Sequence, residues 1–595
     1  MEELYLNGKK TDLENNSVSR TLQINNFREV QDRQANYSNN IKLPMTSNNV
    51  EVLDFLGVNG NKSNKPFETT DVKYSDDGIE LINDGKAVIR KTNKKAKNYD
   101  LVIYDGAISL QELLSDLTLQ DLDLSAYNHD LSVSSYLASM SNTSGYTYSD
   151  LGSVNITLER TIPLLFIHTI FDLIFTQKGW TYNWNQFNTD DFKERVFTMD
   201  KGFDLTLIPL ENVLVAEVNF TGTEAEFSNS GNFEDEITIG TYTAVASNYV
   251  AITFTGGFDV VYGSIFSFSV VLNGGDTILT ITNSSLLDPN IINNTALNVF
   301  LESGDSLDFI ILADSQQTAS QMWEYRINYN FNVFLYADNS YYEIDFSTII
   351  GEMKQIDFIK DVMQRFNLSF VKVRNRNELT FMSSEELLTG KSNAEDWSDK
   401  LSQELDEDYS NSYAQSNRFR YIYDETDNDF ADGILSLTNS NLTVEKTVLT
   451  TVFKASIGSN VIGVPYEMNY WSEEGEPTQD GNRIFRIVKE LNQERAIRIL
   501  LTDTYVDFSN QTINTIDFSY LYYQNELTRN YPTFRNLIDK FRLKRFEFNL
   551  NLIDIYNVDF LRLKYLKQTG KYYYLNKINS FKKGSVTTVE LIELV

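Results

Sequence analysis

The chain has no cysteine in its 595 residues. That absence excludes a disulfide framework, thiolate metal sites and cysteine nucleophiles together. Histidine is nearly missing too: His129 and His168 are the two, in unrelated contexts. A histidine-rich metal centre or a Ser-His-Asp relay has little to be built from. Glycine (28) and proline (8) are sparse. No apolar run reaches bilayer-spanning length; the longest, 162–175, carries His168 and Asp172 and reads as a buried helix. The opening Met1-Glu2-Glu3-Leu4-Tyr5-Leu6 is acidic where a signal peptide would be basic. Synthesis in a cytoplasm, without export through a signal sequence and without membrane insertion, is therefore expected.

What is present is globular and leans towards β structure. Hydrophobic residues make up 42% and charged residues 23%, and Phe (38) and Tyr (34) are abundant. Aromatics suit pleated, half-buried surfaces. The length exceeds what one hydrophobic core supports, so about three to five domains are expected. The formal charge of −32 repels nucleic acid at long range. Two stretches run against it. Residues 535–583 hold twelve Lys/Arg and four Asp/Glu, and Lys86 to Lys97 carries six cations and no acid. A solvated sheet face accounts for each; the functional alternative is self-assembly, with basic patches meeting acidic surfaces on another subunit.

Along the chain, Val18, Leu22, Ile24 and Phe27 mark an opening strand, and Ile41 to Pro44 a short one. The chain must turn between Pro44 and Asn49, and an apolar pattern resumes from Val50 to Leu56. Gly78 to Ile82 and Lys86 to Lys91 read as a hairpin linked across Asn83-Asp84-Gly85. Tyr99 to Tyr104 is a further strand, and a short helix is expected over 110–117. The clearest helix signal is Thr161 to Lys178, with Thr161 as cap, Pro163 in the first turn and Gly179 as stop. His168 within it reads as a packed core residue.

From 205 to 340 short alternating runs recur, ending in Tyr325, Ile327, Tyr329, Phe331, Val333 and Leu335 with polar residues between. That pattern is a half-buried strand, and the block reads as an inserted β-sandwich of jelly-roll type. Trp323 beside it reads as core packing. Next, a helix capped by Asp357 and ended by a left-handed Asn367 leads into the hairpin 368–381. The acidic stretch 390–412 reads as a linker or loop. The run 424–433 offers four aspartates, but a calcium loop starting at Asp427 has Asp432 where glycine is required, so a solvated turn is the better reading. Alternation at Phe546, Phe548, Leu550 and Leu552, then at 561–565, 572–575 and 586–594, marks terminal strands whose edges a neighbouring subunit would protect. The fold class expected is mainly β with α+β parts, in several domains.

No phosphate-cradling glycine loop, nucleophile elbow or zinc-binding histidine pair is present, and no two of the 83 carboxylates stand out as a glycosidase pair. No catalytic, cofactor-binding or metal-binding residue is assigned, no cofactor is expected, and the chain does not read as an enzyme. Basic-aromatic interleaving at 562–574 resembles a nucleic-acid surface, but at this net charge a strand face or subunit contact fits better.

Several stretches resemble tail hub proteins of phages that infect Bacteroidota: Arg20-Thr21-Leu22-Gln23-Ile24-Asn25-Asn26-Phe27 running into 32–44, Tyr104-Asp105-Gly106, Asn549 to Asn557, Tyr572 to Ile578 and Thr588 to Ile592. These are packing and turn motifs. The resemblance implies hub-type β-barrel-like domains, joined in a homotrimeric ring that continues the tail tube. On that basis 1–150 and 401–595 would be the N- and C-terminal β-rich hub domains, and 151–204 a helical or mixed connector. Residues 205–344 would be the inserted β-sandwich and 345–400 a small α/β domain. Implied partners are sister copies, the tail tube and tail-tip, baseplate or fibre proteins, with DNA passing through the lumen and no specific nucleic-acid binding. The location implied is the distal tail of the virion. The alternative is a receptor-binding or fibre-adaptor protein whose sandwich binds a host surface glycan.

Overall fold

The structure is a computed structural model. It describes residues 2–14, 20–23, 27, 39–104, 114, 116–148, 155–157, 163–198, 207–208, 213–245, 248–282, 296–301, 303–337, 341–373, 376–423, 430–455, 484–491, 497–501, 504–508, 512–517 and 519–594. The chain is mainly β, with many sheets, and among the described residues none is closed into a barrel.

Two of these sheets come from opposite ends of the chain. The first is six-stranded and antiparallel, in the order Lys9–Lys10, Glu2–Leu6, Thr70–Asp76, Ile79–Asn93, Asn98–Tyr104, Asn39–Pro44. Pro44 lacks an amide hydrogen and sits at the end of an edge strand, where none is required. The second sheet runs Glu395–Asp396, Lys564–Leu566, Lys571–Phe581, Thr587–Glu593, Leu543–Phe548, Leu401–Asp408, with Arg20–Gln23 added to Lys571–Phe581. Alternation decides which side chains meet. Leu4, Leu6, Ile41, Leu43, Val72, Leu101 and Ile103 from the first sheet share one apolar core with Phe546, Phe548, Tyr573, Leu575, Val589 and Leu591 from the second.

The inserted sandwich consists of two sheets, one ordered Val213–Ser228, Trp323–Ala337, Asn248–Tyr262, Ala296–Leu301, the other Glu234–Thr243, Ser306–Asp314, Ser264–Leu272, Asp276–Thr282. Ile327, Val333, Leu335, Phe254, Phe268, Phe309 and Ile311 are buried between them. Tyr325 and Tyr329 join this core as the alternation requires, and Trp323 opens its strand half-buried.

A third core gathers the helix Ile167–Thr176, the helix Gln355–Arg365, the hairpin Leu368–Lys372/Glu378–Ser383 and the helices Tyr523–Asn530 and Pro532–Asp539. Asn367 ends its helix in the left-handed region at φ 53°, as its position implied. The strand Thr181–Trp184 adds in parallel to Glu378–Ser383, a crossover no local pattern announces.

Seven local expectations are corrected. The first hairpin turns at Asp77-Gly78, whose φ values of 48° and 77° are those of a tight hairpin turn. Ile79–Asn93 is one continuous strand, and Asn83-Asp84-Gly85 lies inside it. The segment after Pro44 is a helix, Ser47–Val52, capped by the Thr46 hydroxyl accepting from the Asn49 amide. The helix at 161–178 is shorter: Leu164–Phe166 is a strand in a five-stranded sheet, the helix is Ile167–Thr176, and Pro163 lies outside it. Gly179 ends it at φ 70° as expected, and Thr161 lies outside the described residues. Asp357 is in the first turn of its helix, and Lys354 occupies the cap. The stretch 390–412 is no linker: Trp397 is buried and Leu401–Asp408 is a sheet strand. Near the C-terminus the strand stops at Phe548, because the Asn551 side chain accepts from the Ile553 and Asp554 amides and starts the helix Leu552–Tyr556. The last strand, Thr587–Glu593, is interior to its sheet, so the edge needing protection is Leu401–Asp408. The helix expected over 110–117 and the loop 424–429 lie outside the described residues except at 114, 116 and 117.

Candidate functional site

Both histidines are packing residues. His129 stacks on Tyr146 with ring centroids 3.9 Å apart. Its Nδ1 lies 2.9 Å from the Tyr127 carbonyl, which takes the ring proton, and its Nε2 lies 3.0 Å from the Tyr148 hydroxyl. His168 is buried against Phe166, Phe187 and Phe192. Burial pulls its pKa down to about 4, so it is neutral in the fold.

The most heavily charged interior feature is a network that sequence reading missed. Arg195 donates to Glu526 through Nη1 at 2.6 Å and Nη2 at 3.2 Å, and to the Asp191 carboxylate at 2.8 Å. Arg365 donates to Asp361 at 2.5 Å, to the Tyr421 hydroxyl at 2.9 Å and to the Thr451 hydroxyl at 3.0 Å. Thr451 in turn donates to Asp361. Arg529 and Asn530 complete the shell around Glu526 at 3.1 and 3.2 Å. Arg195, Arg365 and Glu526 are all buried. Burial alone would lower the pKa of both guanidinium groups, but Glu526 and Asp191 hold Arg195 above its usual value and Asp361 does the same for Arg365. Burial pushes Tyr421 up to about 12. Each charge is committed to another, so the network fastens strand Arg195–Phe197, helix Gln355–Arg365, strands Ala414–Ile422 and Thr443–Lys454, and helix Tyr523–Asn530 into one unit. Its one legible signal is spacing: Asp191/Arg195 and Asp361/Arg365 are i,i+4 pairs and Glu526/Arg529 an i,i+3 pair.

The basic C-terminal stretch finds its acids within the chain. Lys544 pairs with Glu404 (3.1 Å), Glu407 (3.4 Å) and Glu593 (3.5 Å), and Arg545 with Asp406 (2.9 Å) and Glu590 (3.5 Å). Burial lowers the Lys544 pKa, but the Glu404 hydrogen bond and charge outweigh it and raise it. At 562–574, Lys564 is buried on Glu395 (2.7 Å) over the Trp397 ring, and Lys567 pairs with Asp396 (2.8 Å). These cations therefore serve their own sheet. The edge strand Leu401–Asp408 carries Glu404, Asp406, Glu407 and Asp408 and two register shifts, and both features blunt a sheet edge. It still exposes Leu405 (43%), and Tyr409 beside it is 58% exposed.

The second basic stretch lies at one end of the six-stranded sheet. Segment 53–67 folds back on the turn joining Ile79–Asn93 to Asn98–Tyr104: the Tyr99 hydroxyl donates to the Leu56 carbonyl at 2.7 Å and Lys94 Nζ to Asn59 Oδ1 at 3.1 Å. Asp54 and Phe55 are both left-handed, at φ 55° and 56°, a conformation costing about 1–2 kcal/mol per residue. Phe55 (51% exposed), Val58 (48%) and Phe67 (87%) are exposed in this segment, and so are Lys62 within it and Lys94, Lys95 and Lys97 in the turn it folds back on.

Elsewhere, Asp432 in the acidic loop accepts from the Tyr421 amide at 3.1 Å, the Tyr423 hydroxyl at 2.6 Å and Arg420 at 3.2 Å, a turn-forming role. A half-open cleft of about 480 Å³ lies between Leu388, Lys391, Thr533, Asn536, Lys540 and Leu594. Its Asp539 carboxylate is taken up by the Thr438 amide and hydroxyl, and the Glu385 carboxylate accepts from Thr533. Among the described residues no three His, Asp or Glu side chains are placed to hold a metal ion, and no helix is long and apolar enough to cross a membrane.

No family model matches the chain, and no curated protein does. Among solved structures it is similar to the 43 kDa tail protein of prophage MuSo2 from Shewanella oneidensis, over 99% of this chain and 97% of that one, at 5% identity and a TM-score of 0.35. A quarter of the chain (25%) is similar to 46% of a chain in the structure of infectious bursal disease virus Gx strain, at 13% identity and a TM-score of 0.13. A like share is similar to the same virus's VP2 subviral particle, at 15% identity and a TM-score of 0.12. At such scores these likenesses establish neither fold nor function.

Proposed function

We propose that the chain is a structural subunit of a phage tail: a hub-type protein at its distal end that assembles as a homotrimeric ring continuing the tail tube and works through contacts without catalysis. The observation that carries this reading is the shared core between the two sheets from opposite ends of the chain. That core makes a rigid block from which the connectors and the inserted sandwich emerge as excursions, a plan suited to a frame with an appended module. The sequence resemblance to Bacteroidota phage hub proteins supplies the ring and its neighbours, the tail tube and tail-tip or fibre proteins. The chain's −32 charge gives a lumen that repels DNA phosphates, so the genome passes without sticking. Electron-microscopy class averages of the purified protein test the reading. A three-fold ring with an axial opening supports it; a closed monomer with a ligand-filled cleft overturns it.

A second reading, glycan binding by the sandwich, has one observation in its favour. The outward face of its sheet containing Trp323–Ala337 presents hydroxyls and amides in rows, with Thr221 donating to Asn330 at 3.2 Å, Thr223 to Asn328 at 2.8 Å and Asn328 to Asp259 at 3.3 Å. Binding of the full chain to a host glycan array, lost on Asn330→Ala, would favour it; an empty array would remove it.

A further inference from the structure

The two sheets that share a core carry opposite charge at two of their margins. The cationic margin is the knob at the end of the six-stranded sheet. Residues 51–68 and 90–97 hold seven Lys/Arg (Lys62, Lys65, Arg90, Lys91, Lys94, Lys95, Lys97) against Glu51, Asp54 and Glu68, a net +4. Thr70 pairs with Ala87, so the chain running back from Thr70 carries Phe67 towards the Arg90 end of that strand. Phe67, Phe55 and Val58 therefore belong to the same end as the lysines. The anionic margin is the edge of the seven-stranded sheet. The edge strand Leu401–Asp408 and its neighbour Leu543–Phe548 hold Glu404, Asp406, Glu407, Asp408 and Glu547 against Lys544 and Arg545, a net −3. Glu404, Asp406, Glu407 and Asp408 pair with Lys544, Arg545 and Arg542 of their own sheet and outnumber them by one, and Leu405 and Tyr409 stand exposed among them.

Each margin thus combines exposed apolar side chains with a surplus of one charge sign, and the signs are opposite. Exposed apolar groups ringed by charge mark interaction surfaces, and complementary charge selects and orients the partner. In a chain of net −32 a cationic, aromatic knob has its complement on a sister copy. We propose that the knob of one subunit, centred on Phe67, Lys94 and Lys95, docks on the Leu401–Asp408 edge of the next copy. The contact is heterologous: two different patches of the same chain meet head to tail, and repetition of such a contact closes a ring or extends a filament. The bulges and carboxylates of the edge exclude plain strand addition, so the contact runs through side chains. This proposal rests on the assembly reading above and names the surfaces that serve it.

The test uses the full chain. Carbodiimide treatment of the wild-type protein, followed by mass spectrometry of the cross-linked oligomer, should give inter-subunit bonds between Lys94 or Lys95 and Glu404 or Asp406. Sedimentation at about 0.1 M salt, where the screening length is about 10 Å, should show Lys94→Glu/Lys95→Glu dissociating at least tenfold more readily than wild type. Phe67→Ser, at an exposed position, should do the same without altering the melting curve. Mixing the knob variant with Leu405→Lys/Asp406→Lys should restore association that each lacks alone. An oligomer that forms no such cross-link, or that survives the knob substitutions unchanged, overturns the proposal while leaving the assembly reading standing. Binding of the knob to phosphatidylserine vesicles with assembly unaffected overturns it in favour of a lipid partner. A monomeric wild-type protein overturns the assembly reading itself.

Discussion

Glu526 is the residue on which the interior charge network turns, because Arg195, Arg365 and Arg529 all face it. Removing one partner of a buried pair leaves an uncompensated charge, at a cost of about 3–5 kcal/mol. Glu526→Ala should therefore lower stability by about that amount, read by calorimetry, and Arg195→Ala should do likewise. His168 gives a pH signature of known sign. Its imidazole titrates at about 4 in the fold against 6.5 when exposed, so between those values the unfolded chain binds the proton first. Stability is complete above 6.5 and falls as the pH drops towards 4, by about 3 kcal/mol at most. Denaturant titrations of wild type and His168→Gln across that range should show the steeper decline in wild type. The packed role of His168 was legible from its place in an apolar run. The Glu526 cluster was not: its bonded partners lie up to 331 residues apart, and only the pairs three or four residues apart leave a local trace.

At the level of strands and helices, legibility followed the reach of the pattern. The eleven-residue alternation 325–335 fixed a strand and its buried face, because period two is a local property. The hairpin turn falls on Asp77-Gly78, where both residues are left-handed, and not on Asn83-Asp84-Gly85, because a tight turn needs that backbone and 83–85 lies inside a strand. Gly78→Val should cost about 1–2 kcal/mol, the penalty of a side chain at φ 77°, measured by urea unfolding. The stretch 390–412 read as a linker because its charge dominates its composition. Its acids are answered by Lys544, Arg545, Lys564 and Lys567, supplied some 140 to 170 residues later, which no local window contains. The indole of Trp397 packs edge-on to Phe548 at 5.5 Å. Trp397→Ala should therefore cost about 3–5 kcal/mol, as a core truncation does, whereas a linker position would change stability by about 0.5 kcal/mol or less.

The described residues gather into three apolar cores, one of them built from segments near both ends of the chain. Composition made the mainly β class readable, and the inserted sandwich showed as a change of texture. The pairing of the first hundred residues with the last fifty was beyond reach, since it depends on contacts of the longest sequence separation. The same limit hides the charge asymmetry of that two-sheet unit, which appears only when 51–97 and 401–408 are placed on one body. If contacts between copies are what this chain is built for, its mass in solution is the most direct measurement of the claim. Native mass spectrometry of the purified protein near neutral pH and low salt should give three times the chain mass, with dissociation as salt rises. A single-chain mass at every concentration and salt would contradict the account.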